Sequence, residues 1–186
     1  MANICETDYV FTGSEKVIRE LLKYYEDTFS KEEIIECSDI PKVEKIKDDE
    51  CKITFWTITK GTPNHAHILN FLNSKGYDED YDYSYFAFEP GCGICDDYNL
   101  CYPKAKYKVE IDCENLDLIN SEEELLQTVL EWNKDLFEDG TLNMKEIKTL
   151  GYDNAVNVFN LIEYLNNMGD CIKVWVIQHK DNDIFA

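Results

Sequence analysis

Apolar and polar positions switch between two periods along the first half of the chain. Residues 3–12 end in Tyr9-Val10-Phe11-Thr12 and read as a strand broken at Gly13. Val17, Ile18, Leu21, Leu22 and Tyr25 then recur at helical spacing, which predicts an amphipathic helix over 15–29. Thr12 and Glu15 have capping-box spacing, with Ser14 as an alternative N-cap. Residues 30–50 are charged and broken by Pro41, and read as a connection with room for one short element.

Residues 51–59 alternate in part, as a half-buried strand does, and Thr62-Pro63 offers an N-cap and a first helical residue. Ala66, Leu69 and Leu72 mark the face of that helix, with Ile68 and Phe71 on its flanks and Gly76 as its stop. Residues 81–89 are extended and aromatic, 91–103 read as a loop, and 104–113 alternate cleanly as a strand. Ser121 and Glu124 form a second capping box before Leu125, Leu126, Val129, Leu130 and Leu136. Asp139-Gly140 reads as a turn, Asn143 as the cap of a short helix, and Asp153 as the cap of a helix ending near Gly169. Residues 171–178 are a final strand. Strands that alternate with helices and then form a hairpin predict an α+β fold: a mixed, largely antiparallel sheet with helices packed on one face, extra C-terminal helices and a last strand. The chain reads as one domain over 1–186, with a sheet part over 1–113 and a helical extension over 114–186.

Three segments also resemble a known family. Asn3 followed by Tyr9-Val10-Phe11-Thr12-Gly13-Ser14-Glu15 is similar to the start of the YubB-type ferredoxin-like family of plasmids and phages. Phe55-Trp56-Thr57 leading to Pro63 resembles that family's second strand and turn. Tyr83-Ser84-Tyr85-Phe86-Ala87-Phe88-Glu89-Pro90-Gly91 resembles its aromatic strand, which ends in Glu-Pro-Gly. The resemblance covers about residues 3–113. It implies a ferredoxin-like fold and a mobile-element origin, and no catalytic residues.

Charge changes the picture most. The chain has 38 acidic and 18 basic residues in 186, a net charge of -20, while 44% hydrophobic residues leave enough for a real core. Such a chain is repelled by nucleic acid and by anionic membranes and is steered toward basic protein surfaces. The first residues carry neither a basic run nor an apolar stretch, so no export signal is expected, and the expected setting is the cytoplasm. Acidic residues gather in runs, among them Asp78, Glu79, Asp80 and Asp82, and Asp96 with Asp97. Carboxylates at phosphate-like spacing, interleaved with Tyr81 and Tyr83, would suit the groove of a nuclease or another DNA-binding protein. The leading expectation is therefore a non-enzymatic inhibitor of a basic host defence protein, of anti-CRISPR or anti-restriction type.

The alternative is a small zinc module. Cys92 and Cys95 form a CxxC pair and Cys101 offers a third thiolate, with Cys113, His65, His67 or a carboxylate as the fourth ligand. Neither a second CxxC nor a His pair at finger spacing is present, so eight reduced thiols, many of them buried, is the simpler reading, with no cofactor required. Asp78, Asp80, Asp82 and Glu89 match positions of a calcium loop, but Tyr83 stands where that loop turns on glycine. No nucleophile–base set or phosphate-binding loop occurs, and Glu89 before Pro90 reads as part of the fold.

Overall fold

The computed structural model describes residues 4–28, 34–112, 114–138 and 157–180. Among these residues the fold is α+β, with five helices, a mixed seven-stranded sheet and a separate three-stranded sheet. The chain forms two compact units: 1–103 with 178–186, and 104–177.

The first unit is built on two long strands, β1 (Ile4–Ser14) and β4 (Glu50–Lys60). They pair antiparallel over their full length, from Ile4 opposite Lys60 to Ser14 opposite Glu50. Strand β5 (Tyr81–Glu89) pairs antiparallel with the other side of β1. Strands β2 (Ile34–Cys37) and β3 (Glu44–Lys45) both pair with β4. The sheet order β5-β1-β4-β2, with α1 (Glu15–Thr28) after β1 and α2 (His65–Ser74) after β4, is the split βαβ arrangement of ferredoxin-like folds. Beyond β5 the sheet adds β6 (Ile94–Tyr98), antiparallel, and then β10 (Gln178–Lys180), parallel to β6.

Alternation decides which face of this sheet is covered. Cys5, Tyr9 and Phe11 of β1, Cys51, Ile53 and Phe55 of β4, and Tyr85 and Ala87 of β5 face the helices. Val17, Ile18, Leu21 and Tyr25 of α1 and Ile68 and Leu72 of α2 close the same core. Aromatic rings fill it: Phe11 and Phe55 stack at 6.0 Å, and Tyr24 of α1 stacks on Phe71 of α2 at 4.1 Å. Burial of this kind is worth roughly 1.5–3 kcal/mol per large side chain.

Several sequence expectations shift by a residue or a face. Ser14, not Thr12, caps α1: its Oγ accepts the Val17 N–H at 3.4 Å, whereas Thr12 is committed to the ladder opposite Lys52 and Asp82. Helix α2 starts at His65 after Asn64, because Thr62-Pro63 lies in the preceding turn, where the Thr62 carbonyl accepts the Thr59 hydroxyl at 2.6 Å. Its buried face carries Ile68 and Leu72, while Ala66 is exposed. The predicted loop 91–103 contains β6, and the predicted final strand is divided between two sheets.

The second unit holds the antiparallel sheet β8-β7-β9, of β7 (Tyr107–Ile111), β8 (Glu114–Ile119) and β9 (Ile172–Val176). Helices α3 (Glu122–Trp132) and α5 (Val158–Met168) contribute Leu125, Val129, Leu161, Ile162 and Leu165 to a core with Tyr107, Val109, Ile111 and Ile172. The short α4 (Lys134–Glu138) follows α3. Ser121 caps α3 as predicted, accepting the Glu124 N–H at 3.1 Å; the Glu124 carboxylate reaches the Asn120 N–H at 2.8 Å rather than that of Ser121. Asn157 caps α5, accepting from Phe159 and Asn160 at 3.1 Å each. Gly169 ends that helix at φ +121°, a conformation that favours glycine. Asp153, Asn143 and Asp139-Gly140 lie outside the described residues. Among the described residues no helix is long and apolar enough to cross a membrane.

Candidate acidic interface

Antiparallel register brings together acidic runs that are far apart in sequence. Ser14 pairs with Glu50 and Gly13 with Tyr81, so the β3–β4 turn and the α2–β5 turn emerge at the same end of the first unit's sheet, on either side of β1. The first turn carries Asp48 and Asp49, and the second carries Asp78, Glu79 and Asp80, with Asp82 just inside β5; all six are exposed. Two inter-strand spacings put β4 and β5 roughly 10 Å apart. Glu15 and Glu50 at this end are taken by Arg19 at 2.6 Å and Lys47 at 3.0 Å. None of the other six makes an ion pair among the described residues.

The turn bearing Asp80 is seated on β1. Gly13 lies so close beneath it that a Cβ there would meet the Asp80 carbonyl oxygen at 2.8 Å. Tyr81 and Tyr83 do not flank the acids at the surface. They turn to the helix side, with their rings 6.1 and 5.7 Å from that of Phe11. Beside Asp82 the opposite face of the sheet carries an open cavity of about 320 Å³, lined by Val10, Thr12, Ser84 and Asn99.

The other acidic pair has a different fate. Asp96 faces the helix side of β6 and bonds Lys180 at 2.5 Å. Asp97, on the opposite side, is 0% exposed. Its carboxylate accepts the Tyr102 N–H at 3.1 and 3.3 Å and lies 2.9 Å from Nδ1 of His179 in β10. The Tyr102 hydroxyl donates to Asp8 at 3.0 Å, and its ring meets Phe86 edge-on at 5.6 Å. Asn99 and Leu100, at φ +51° and +54°, turn the chain back over the sheet to deliver Tyr102. For Leu100 that left-handed backbone is strained. Asp97 therefore fastens this segment and β10 to the sheet and adds nothing to an exposed acidic array. Sequence reading missed His179 and Tyr102, because only the fold brings positions 97, 102 and 179 together.

The cysteines are dispersed. Cys92 is exposed in the β5–β6 turn, Cys95 is buried on the Asp97 side of β6, and Cys101 sits in the following turn. Cys113 lies outside the described residues. His65 stacks on Tyr85 at 4.9 Å, on the helix side, and His67 is exposed. Among the described residues no three His, Cys, Asp or Glu side chains converge as a metal site. Burial, aided by Asp97 and Asp8, pushes the Cys101 thiol up to about 11, the wrong direction for a nucleophile. Glu89 is buried and accepts the Gly91 N–H at 3.2 Å and that of Cys92, so it fastens the β5–β6 turn. Glu89 thereby stands apart from Asp78, Asp80 and Asp82, the other members of the calcium-loop pattern.

No family model, no curated protein and no solved structure matches this chain.

Proposed function

We propose that this chain is a non-enzymatic interaction protein whose acidic end occupies the nucleic-acid groove of a basic protein. The observation that carries the reading is the gathering of Asp48, Asp49, Asp78, Glu79, Asp80 and Asp82 at one end of the sheet, exposed and without ion pairs to described residues. Carboxylates on turns either side of β1 offer two rows of negative charge, as a nucleic-acid backbone does. A partner that binds phosphates through Lys and Arg would accept them in place of its usual ligand. The resemblance to a plasmid and phage family favours a host defence nuclease, of restriction or CRISPR type, as that partner, met in the cytoplasm. Neither direct nucleic-acid binding nor membrane association is expected.

The test is displacement of labelled duplex DNA from such a nuclease at about 50 mM and about 200 mM salt. Competition that is strong at low salt and weakens steeply with added salt is the expected result. A chain that leaves every basic nuclease of its host bound to DNA at low salt does not have this function.

A further inference from the structure

Midway along β1, beneath the start of α2, four buried polar atoms have no hydrogen-bond partner among the described residues: Tyr9 Oη, Thr57 Oγ1, Asn64 Nδ2 and His65 Nδ1. Tyr9 and Thr57 are 0% exposed, and Asn64 is 8% exposed. They come from three elements. Tyr9 and Thr57 are diagonal neighbours on β1 and β4, since Thr57 pairs with Thr7. Asn64 and His65 begin α2. Thr7, Thr57 and the Asn64 backbone are polar neighbours of the Tyr9 phenol.

An orphaned buried polar group is costly, and most such groups in native proteins are satisfied. Four on three neighbouring elements call for an occupant, and the surroundings indicate its charge. The first amides of a helix have no partner within the helix, and the helix dipole favours negative charge there. Asn64 holds the N-cap position, but its side chain makes no capping bond, and no acidic residue stands in the first turn of α2. Burial is the largest influence on the Tyr9 phenol and pushes its pKa up. The Asn64 backbone, Thr7 and Thr57 all act the other way, favouring negative charge at Oη. Burial keeps Cys5, beside Thr7, a neutral thiol at about 11, so it stands as a further weak donor. The buried carboxylate of Glu89 is engaged by the Gly91 and Cys92 amides.

We propose that this cluster binds a compact inorganic anion, held by the Tyr9 and Thr57 hydroxyls, the Asn64 amide, His65 and the first amides of α2. The site is independent of the acidic interface, farther back along the same strand. Crystals grown in sodium bromide test it. The expected result is an anomalous bromide peak within hydrogen-bonding distance of Tyr9 Oη and Thr57 Oγ1. In solution, bromide should raise the melting temperature of the wild type along a saturable curve. The double variant Tyr9→Phe, Thr57→Val keeps the shape of the site and loses both hydroxyls. It should lose the saturable part, with apparent affinity down about tenfold or more, and keep the unsaturable part that comes from screening the charge of -20. Thr57→Val alone serves should the double variant fold poorly. Ordered water without anomalous signal would overturn the proposal. So would equal bromide responses, or a variant more stable than wild type at every bromide concentration, the behaviour of a cluster that is simply unoccupied.

Discussion

Two stretches of β1, its C-terminal end and its middle, meet opposite chemistry. At Gly13–Ser14 the neighbouring turns hold exposed carboxylates, while at Thr7–Tyr9 the same strand meets buried donors under a helix start. Net charge does not reveal this difference. The first unit has 23 acidic and 11 basic residues, a net of -12 over 112 residues; the second has 15 and 7, a net of -8 over 74. Charge per residue is thus the same in both units, and a total of -20 points to neither. The sheet register is what concentrates acid at one place and leaves another place in want of it.

The most damaging way to break the comparison is to remove the frame that both stretches share. Phe11 lies between them, fully buried against Phe55 and Tyr83. Phe11→Ala should cost about 3–5 kcal/mol in urea unfolding. Both the DNA-displacing activity and the bromide response should fall together. Loss of one with the other intact would mean that the two stretches do not depend on a common sheet.

Neutralising the acidic end comes next. Replacing Asp48, Asp49, Asp78, Asp80 and Asp82 by Asn and Glu79 by Gln should weaken partner binding about a hundredfold at low salt, at roughly 0.5 kcal/mol per exposed pair. The salt dependence of binding should flatten, and the bromide response should stay within error of wild type. A similar loss on substituting six acids of the second unit would show that overall charge, not the gathered end, does the binding.

Much of this frame was legible in the sequence, and the reasons differ by element. The helix α1 and the strands β1, β4 and β5 have long, regular patterns, so their apolar positions identify them. Strand β6 was hidden because Ile94-Cys-Asp-Asp-Tyr98 places the acidic Asp97 at a buried position. Tyr102 and His179, brought by the fold, make that burial tolerable. The acidic runs were visible as runs, but their convergence depends on Ser14 meeting Glu50 and Gly13 meeting Tyr81, which is tertiary information. The buried polar cluster under α2 gave no signal at all, since Tyr9 and Thr57 read as ordinary strand residues.

A smaller change sharpens the acidic end without touching a charge. Gly13→Ala puts a Cβ against the Asp80 carbonyl, which is backbone and cannot swing aside. The turn must shift, at a cost of about 1–3 kcal/mol. Partner affinity should drop although all six carboxylates remain, read by the same displacement assay. Unchanged affinity would show that the position of this turn is unimportant and that its charge acts at a distance.

The smallest effects compare the two helix starts directly. Helix α1 begins at the acidic end and is supplied by its own chain: Ser14 accepts the Val17 N–H, and Glu15 stands in the first turn. Helix α2 begins at the donor stretch with neither. Ser14→Ala should therefore cost about 0.5–1 kcal/mol in any salt, near the lower part of the range for caps because the bond is long at 3.4 Å. Asn64→Ala removes an N-cap residue that is not capping, so without bromide it should cost no more than a few tenths of a kcal/mol. In saturating bromide the same substitution should cost more, because it then removes a donor to the bound ion. Thermal melts of both variants, with and without bromide, separate the cases. An Asn64→Ala cost as large as that of Ser14→Ala and indifferent to bromide would mean that Asn64 caps α2 in solution, and the contrast between the two stretches would lose its clearest energetic mark.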